Sequence, residues 1–129
     1  MKALLLSVRL SMALVWLYNG LWLKIVAHDA HHRAIVAAVF GADWRANLAL
    51  LLIGCAETLL GLGIASGIAW RLVNIVQIGV LLAMNLVGIF FGGGEIAHPL
   101  GLLIQNLPLF CCATLILVQG PGPFVLKRK

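Results

Sequence analysis

The chain has 129 residues, of which 63% are hydrophobic and 10% are charged, and its mean hydropathy is +1.09. This composition excludes an ordinary soluble globular protein and indicates an integral membrane protein in a lipid bilayer. The net charge of +5 does not indicate a nucleic-acid partner, because the basic residues are scattered at the ends of apolar segments and form no single basic face.

Apolar segments long enough to cross a bilayer occur four times along the chain. A transmembrane helix needs about 20 residues, and the predicted spans lie near residues 3–26, 47–66, 70–91 and 99–119. These spans leave no room for an extramembrane domain. We therefore predict a single domain over residues 1–129, folded as an all-α bundle of four transmembrane helices.

The linker after the first span contains a shorter predicted helix. Asp29 is a suitable N-cap, the apolar run 34–40 is too short to cross a bilayer, and Gly41 can stop the helix. We expect this short helix to lie in the membrane interface or in the mouth of the bundle.

The run 16–24 closes the first span with tryptophan, tyrosine and lysine side chains. Such aromatic rings favour the membrane–water boundary, and Lys24 can carry its ammonium to the headgroups on an apolar stem. Asn19 and Gly20 lie about one helical turn deeper, where an amide needs a partner and a glycine lets a neighbouring helix approach closely. The run predicts a closely packed, polar-lined end of the bundle.

A polar core is predicted around Glu57, which lies near the middle of the second span. A carboxylate there costs several kcal/mol unless it is paired, hydrated or protonated. We predict that Glu57 is paired with Arg9 on the first span or is held protonated by neighbouring amides. Amides from three spans and one lysine complete the predicted ligand-binding core, which consists of Arg9, Asn19, Lys24, Glu57, Asn85 and Asn106. The alternative is that these groups only fix which helix packs on which.

The candidates for a metal site are histidines in two loops, the one after the first span and the one before the fourth span. His28, His31 and His32 precede the short helix, and His98 follows Glu95 in the other loop. These side chains offer enough nitrogen and oxygen for zinc. Their spacing matches no zinc signature, and histidines at an interface are commonly solvated, so we predict no metal site.

The three cysteines, Cys55, Cys111 and Cys112, lie inside apolar segments without a CxxC spacing. Adjacent cysteines on a helix point about 100° apart, which disfavours a thiol relay through Cys111 and Cys112. We predict that all three act as small buried hydrophobes.

The distribution of basic residues predicts which side of the membrane each loop occupies. Both termini are predicted to be cytoplasmic, because more basic residues lie on their side than on the other. That side carries Lys2, Arg9, Arg71, Lys127, Arg128 and Lys129, and the opposite side carries Lys24, Arg33 and Arg45.

Short motifs spread over nearly the whole chain carry a resemblance to a known family. They are Arg9, residues 15–20 and Lys24 in the first span, Glu57 in the second, and residues 98–101 and 106–108 in the fourth. Together they resemble the DoxX-like family of small four-helix bacterial membrane proteins. The chain departs from the pattern at Gln105, where related sequences often have lysine, and this departure removes an intramembrane charge.

The resemblance implies a role in a membrane redox system, because DoxX is a membrane subunit of a thiosulfate:quinone oxidoreductase. It implies an accessory or anchoring subunit in the bacterial cytoplasmic membrane, with a quinone as the implied cofactor. A separate soluble or membrane redox subunit would be the partner, and an oligomer is compatible with the sequence.

Two other functions stay open at this point. One is a small proton-coupled transporter built on Arg9 and Glu57, and the other is a purely structural membrane protein. A self-contained enzyme is not expected, because the sequence has no recognisable nucleophile–base pair, phosphate loop, dinucleotide fingerprint or strong redox motif.

Overall fold

The computed structural model describes residues 1–92 and 94–126, and the regular secondary structure within these ranges is entirely helical. The helices are α1 (Lys2–Leu17), its π-helical continuation (Tyr18–Val26, the π segment), α2 (Ala30–Phe40), α3 (Trp44–Ser66), α4 (Trp70–Phe91) and α5 (Pro99–Gln119). Gly93 lies outside the described residues, and so do the basic residues Lys127, Arg128 and Lys129, on which part of the topology prediction rests.

Within residues 1–92 and 94–126, four helices are long and apolar enough to cross a membrane. They are α1 with the π segment, α3, α4 and α5. Together with the all-helical secondary structure, they confirm the predicted all-α four-helix bundle of a multi-pass membrane protein.

Two aspartates begin helices as N-caps, because each carboxylate accepts a backbone N–H that the first turn leaves free. The carboxylate of Asp29 accepts from the backbone N–H of His32 and so begins α2, which ends at Gly41 with φ +97°. This confirms the predicted short helix. Asp43 accepts from the backbone N–H of Arg45 and begins α3 three residues before the predicted span at residue 47.

Glycines bring the first helix and α3 into close contact. A Cβ atom on Gly20 would lie 2.7 Å from Cβ of Glu57, and one on Gly54 would lie 3.0 Å from Cβ of Lys24. Any side chain at these two positions would push the helices apart. The close approach expected at Gly20 is confirmed, and it brings Lys24 and Glu57 together.

The interior contains two separate apolar clusters. The larger joins the spanning helices and includes Met12, Trp16, Ile64, Leu81 and Ile116. The smaller attaches α2 to α3 through Val36, Ala46 and Leu50. The short helix therefore packs against the bundle through its own contacts, outside the main core.

The start of α1, the α3–α4 turn and the segment after α5 meet at one end of the bundle, which we call the Arg9 end. There the backbone N–H of Leu126 donates to the carbonyl of Ser66 at 3.0 Å. The α2 helix and the α4–α5 loop lie at the opposite end, because each spanning helix reverses the direction of the one before it.

Candidate functional site

A cavity of about 520 Å³ lies between the first helix, α2, α3, α4 and α5, and residues 95–98 of the α4–α5 loop line part of it. Five of the six predicted core residues line it: Asn19, Lys24, Glu57, Asn85 and Asn106. The sixth, Arg9, is not part of its lining. The structure therefore brings most of the predicted polar residues to one space.

A buried ion pair lies at this cavity. The Nζ atom of Lys24 is 2.7 Å from Oε2 of Glu57, and the two side chains are only 4% and 3% exposed. Lys24 Nζ also donates to the backbone carbonyl of Asn19 at 3.4 Å. The direct hydrogen bond offsets part of the desolvation cost of the two charges.

The ion pair overturns two predictions about these residues. Glu57 is paired with Lys24 and not with Arg9, and the ammonium of Lys24 does not extend to the headgroups. The physical reason is the contact at Gly20 and Gly54, which places Lys24 beside α3 inside the bundle. The π-helical geometry of Tyr18–Val26 accompanies this contact, as often occurs where a helix carries functional groups.

Arg9 has a different environment, at the Arg9 end of the bundle. Its guanidinium donates to the carbonyls of Pro121, Pro123 and Phe124 at 2.8, 3.2 and 3.0 Å. The side chain is 2% exposed, and its Nε has no hydrogen-bond partner within the described residues. Arg9 therefore holds the segment after α5. The carbonyls of this segment take the place of Glu57 as hydrogen-bond partners of Arg9.

Amides join α4 and α5 at the cavity. Nδ2 of Asn106 donates to Oδ1 of Asn85 at 2.9 Å, and Nδ2 of Asn85 donates to the carbonyl of Leu81 at 2.7 Å. Asn19 donates to the carbonyl of Val15 in its own helix at 2.9 Å. One N–H of Asn106 remains for a ligand, since a primary amide has two.

Trp16 and Gln77 form a buried polar pair that the predicted site did not include. Nε1 of Trp16 donates to Oε1 of Gln77 at 2.8 Å, and the residues are 3% and 0% exposed. Within the run 16–24, Trp16 is therefore turned into the bundle, whereas Tyr18 and Trp22 are exposed. The signal for this pair in the sequence was Gln77. An amide inside a span needs a hydrogen-bond partner, and the indole of a tryptophan can supply the donor.

The outer histidines are divided between two places. His31, His32 and His98 line the cavity together with Glu95, whereas His28 lies on a separate groove. Across residues 1–92 and 94–126, no three His, Cys, Asp or Glu side chains lie close enough to hold a metal ion.

Asp29 and His32 form a partly exposed side-chain contact at the same end of the bundle as the cavity. Its Oδ2 lies 2.7 Å from Nδ1 of His32. The backbone N–H of His32, followed by its ring, lowers the pKa of Asp29 below its usual range.

All three cysteines are free thiols. Cys55 and Cys111 are exposed on the outer surface of the bundle and Cys112 is half-buried, so the prediction that all three are buried is wrong. The physical reason is that a membrane helix can turn small apolar side chains outward at little cost, because the lipid chains are also apolar.

A sequence comparison decides the family. The model of the DoxX-like family matches residues 13–114, which is most of the chain. The chain belongs to the DoxX-like family. No curated protein and no solved structure was found to match it. Within this DoxX-like chain, the matched range contains Lys24 and Glu57, whereas Arg9 and its partners at 121–124 lie outside it.

The cavity of this DoxX-like bundle offers few polar groups between mostly apolar walls. Its polar groups include the ion pair, the amides, and Glu95 and His98 of the α4–α5 loop. Its apolar walls include Val15, Ile35, Ile53, Met84 and Leu109. Such a site can hold a molecule with an apolar body and a small polar head.

Proposed function

We propose that this DoxX-like protein is an accessory or anchoring subunit of a membrane redox system, and that its cavity binds a quinone or a lipid headgroup. The observation that carries the proposal is the cavity bordered by the Lys24–Glu57 ion pair and the Asn85–Asn106 amide pair. Its volume of about 520 Å³ falls within the range of about 300–1,000 Å³ that small-molecule sites occupy.

The chemistry of the lining supports a neutral polar head. The charges of Lys24 and Glu57 offset each other, so the site carries no excess charge at this point. The remaining N–H groups of Lys24 and Asn106 can donate to a carbonyl oxygen of a ligand. A quinone ring would therefore have donors for its carbonyls and apolar walls for its ring and tail.

The proposed setting is the bacterial cytoplasmic membrane, with both termini on the cytoplasmic side. Support comes from the excess of basic residues on that side, including Lys2 and Arg71. In this setting a separate soluble or membrane subunit would supply the catalytic chemistry.

The test is equilibrium binding of a short-chain quinone to the protein purified in detergent, measured by calorimetry. Asn106→Leu should weaken binding about tenfold, because it removes a donor from a desolvated site. Gln119→Leu is the matched control, since it is an exposed amide on the same helix and does not line the cavity. Absence of quinone binding, or equal weakening by the two variants, would contradict the quinone proposal.

A second candidate function is a small proton-coupled transporter. It is favoured by one observation: the cavity that contains Glu57 is also lined by the titratable side chains of His31, His32, Glu95 and His98. Such a transporter would depend on Lys24 and Glu57 and not on Arg9. Substrate-dependent proton flux into liposomes that contain the protein, abolished by Glu57→Gln, would favour this function over the redox subunit.

A further inference from the structure

A second groove lies at the same end of the bundle as the cavity, between the turn after the π segment, α2 and the start of α3. Its volume is about 470 Å³. It is lined by His28, Arg33, Asn47, Leu48, Leu50 and Leu51. None of these residues lines the cavity that contains Glu57. The groove is therefore a separate site, and an inference about it does not rest on the proposed function.

Arg33 gives this groove a positive charge that no carboxylate within the described residues offsets. Its Nε donates to Oδ1 of Asn47 at 2.8 Å, and its Nη2 donates to the carbonyl of Ala42 at 3.3 Å. Both acceptors are neutral, and neither bond uses Nη1. By contrast, Arg45 at the same end lies 3.9 Å from a carboxylate oxygen of Asp43. The guanidinium of Arg33 is thus held in place, while its charge is left for an anion from outside the chain.

The backbone at His28 adds a second hydrogen-bonding group to the groove. His28 has a left-handed backbone conformation with φ +48°, which residues other than glycine rarely adopt. The backbone N–H of Asp29 donates to the carbonyl of Leu23 at 2.8 Å and fixes this turn. Residues held in such conformations are frequent at ligand-binding sites. The imidazole of His28 can donate a hydrogen bond to an anionic oxygen beside Arg33.

The outward-facing part of the groove is apolar. Leu48 and Leu51 lie about one turn apart on α3, and each is 44% exposed. Trp44, one turn before Leu48, is exposed at the start of the same helix, where tryptophan favours the membrane–water boundary. A ligand with its anionic group beside Arg33 would therefore lie at headgroup level, with a hydrocarbon chain against the two leucines.

We propose that this groove binds an anionic glycerophospholipid, with its phosphate beside Arg33 and His28 and an acyl chain along Leu48 and Leu51. The forked N–H groups of a guanidinium match the geometry of phosphate oxygens. The uncompensated charge of Arg33 selects against a headgroup that carries its own cation, because two like charges would lie close together. The groove therefore distinguishes anionic from zwitterionic phospholipids.

Native mass spectrometry of the unchanged protein in detergent tests this selectivity. Phosphatidylglycerol and phosphatidylcholine with identical acyl chains are the two probes, and the first should bind about fivefold more tightly. Glycerophosphoglycerol, which is the same headgroup without acyl chains, should not displace the bound lipid at equal concentration. Equal binding of the two lipids would overturn the inference. Displacement by glycerophosphoglycerol or by inorganic phosphate at equal concentration would show a site for a free anion and overturn the lipid assignment.

Substitutions at two arginines of the same end locate the site. Arg33→Gln should reduce the preference for phosphatidylglycerol below about twofold, whereas Arg33→Lys keeps the charge and should keep a preference of about threefold or more. Arg45→Gln, the matched control, removes the same charge outside the groove and should keep the full preference. A preference that survives Arg33→Gln, or that falls equally in Arg33→Lys or Arg45→Gln, would overturn the role of Arg33. Quinone binding should not change in any of these variants, because neither arginine lines the cavity.

Discussion

Two buried cations on the first helix, Arg9 and Lys24, are held in different ways. Arg9 is enclosed by three backbone carbonyls of the segment after α5. Lys24 pairs with the carboxylate of Glu57, and both residues line a cavity. Backbone carbonyls away from the cavity hold Arg9 against a segment of its own chain, whereas the pair beside the cavity is within reach of a ligand. The difference points to Lys24 and Glu57 as the functional pair.

The largest effect is expected from breaking the ion pair. Lys24→Met alone or Glu57→Gln alone should each lower the free energy of unfolding by about 3–5 kcal/mol, because the remaining charge is stranded, and the double variant should recover most of the loss. Unfolding by denaturant in detergent measures all of these proteins. Arg9→Met with Glu57→Gln is the control, and its effects should add. If the effects were additive for Lys24 and Glu57 but non-additive for Arg9 and Glu57, Glu57 would be paired with Arg9.

A smaller loss is expected at the Arg9 end. Arg9→Met leaves the carbonyls of residues 121–124 without their donor, which should cost about 3 kcal/mol. Hydrogen exchange at the amides of residues 124–126 should become faster, while quinone binding should not change. Arg71→Met, an exposed arginine at the same end that stacks on Trp70, should leave exchange there unaltered. Weaker quinone binding by Arg9→Met would show that the two ends of the bundle are not independent.

The next largest loss of stability is expected at Gly20, where the close helix contact brings Lys24 to Glu57. Gly20→Ala should destabilise the protein by about 1–3 kcal/mol, because the new Cβ would overlap Cβ of Glu57 and the backbone of α3. Gly79→Ala is the matched control, since a Cβ there meets nothing within 4 Å. It should be neutral or slightly stabilising. Equal thermal stability of the two variants would disprove the close contact.

The smallest effect concerns the pH dependence of α2. Because the pKa of Asp29 is lowered in the folded protein, its contribution to stability is present above the unfolded value near 3.9 and is lost as the pH falls through the folded pKa. An NMR titration of the Asp29 carboxyl carbon should therefore give a midpoint below about 3.9. A midpoint at or above 3.9 would contradict the pairing with His32.

The helices were predictable from the sequence, whereas the pairing of charges was not. Hydropathy is summed over about 20 residues, so a single residue hardly changes the predicted bounds of a span. The early start of α3 is explained by the N-cap at Asp43. The choice between Arg9 and Lys24 depends on how each helix is rotated about its axis. That rotation is set by tertiary contacts such as the one at Gly20.

The sequence did contain a signal for the correct pair. Lys24 follows Gly20 by four residues, and Glu57 follows Gly54 by three, so each charge lies on the same helix face as a glycine that permits close contact. The partners of Arg9 had no comparable signal. They are backbone carbonyls from a segment that returns to α1 only in the folded chain.

Photolabelling with an azido-quinone tests most directly whether the cavity beside Lys24 and Glu57 is the ligand site. After irradiation, mass spectrometry would locate the modified peptides in the purified protein. The account predicts labels on cavity residues such as Met84, Asn106 and Leu109, which excess unlabelled quinone should suppress. Labels confined to residues 120–126 at the Arg9 end, or labels that excess quinone does not reduce, would contradict it.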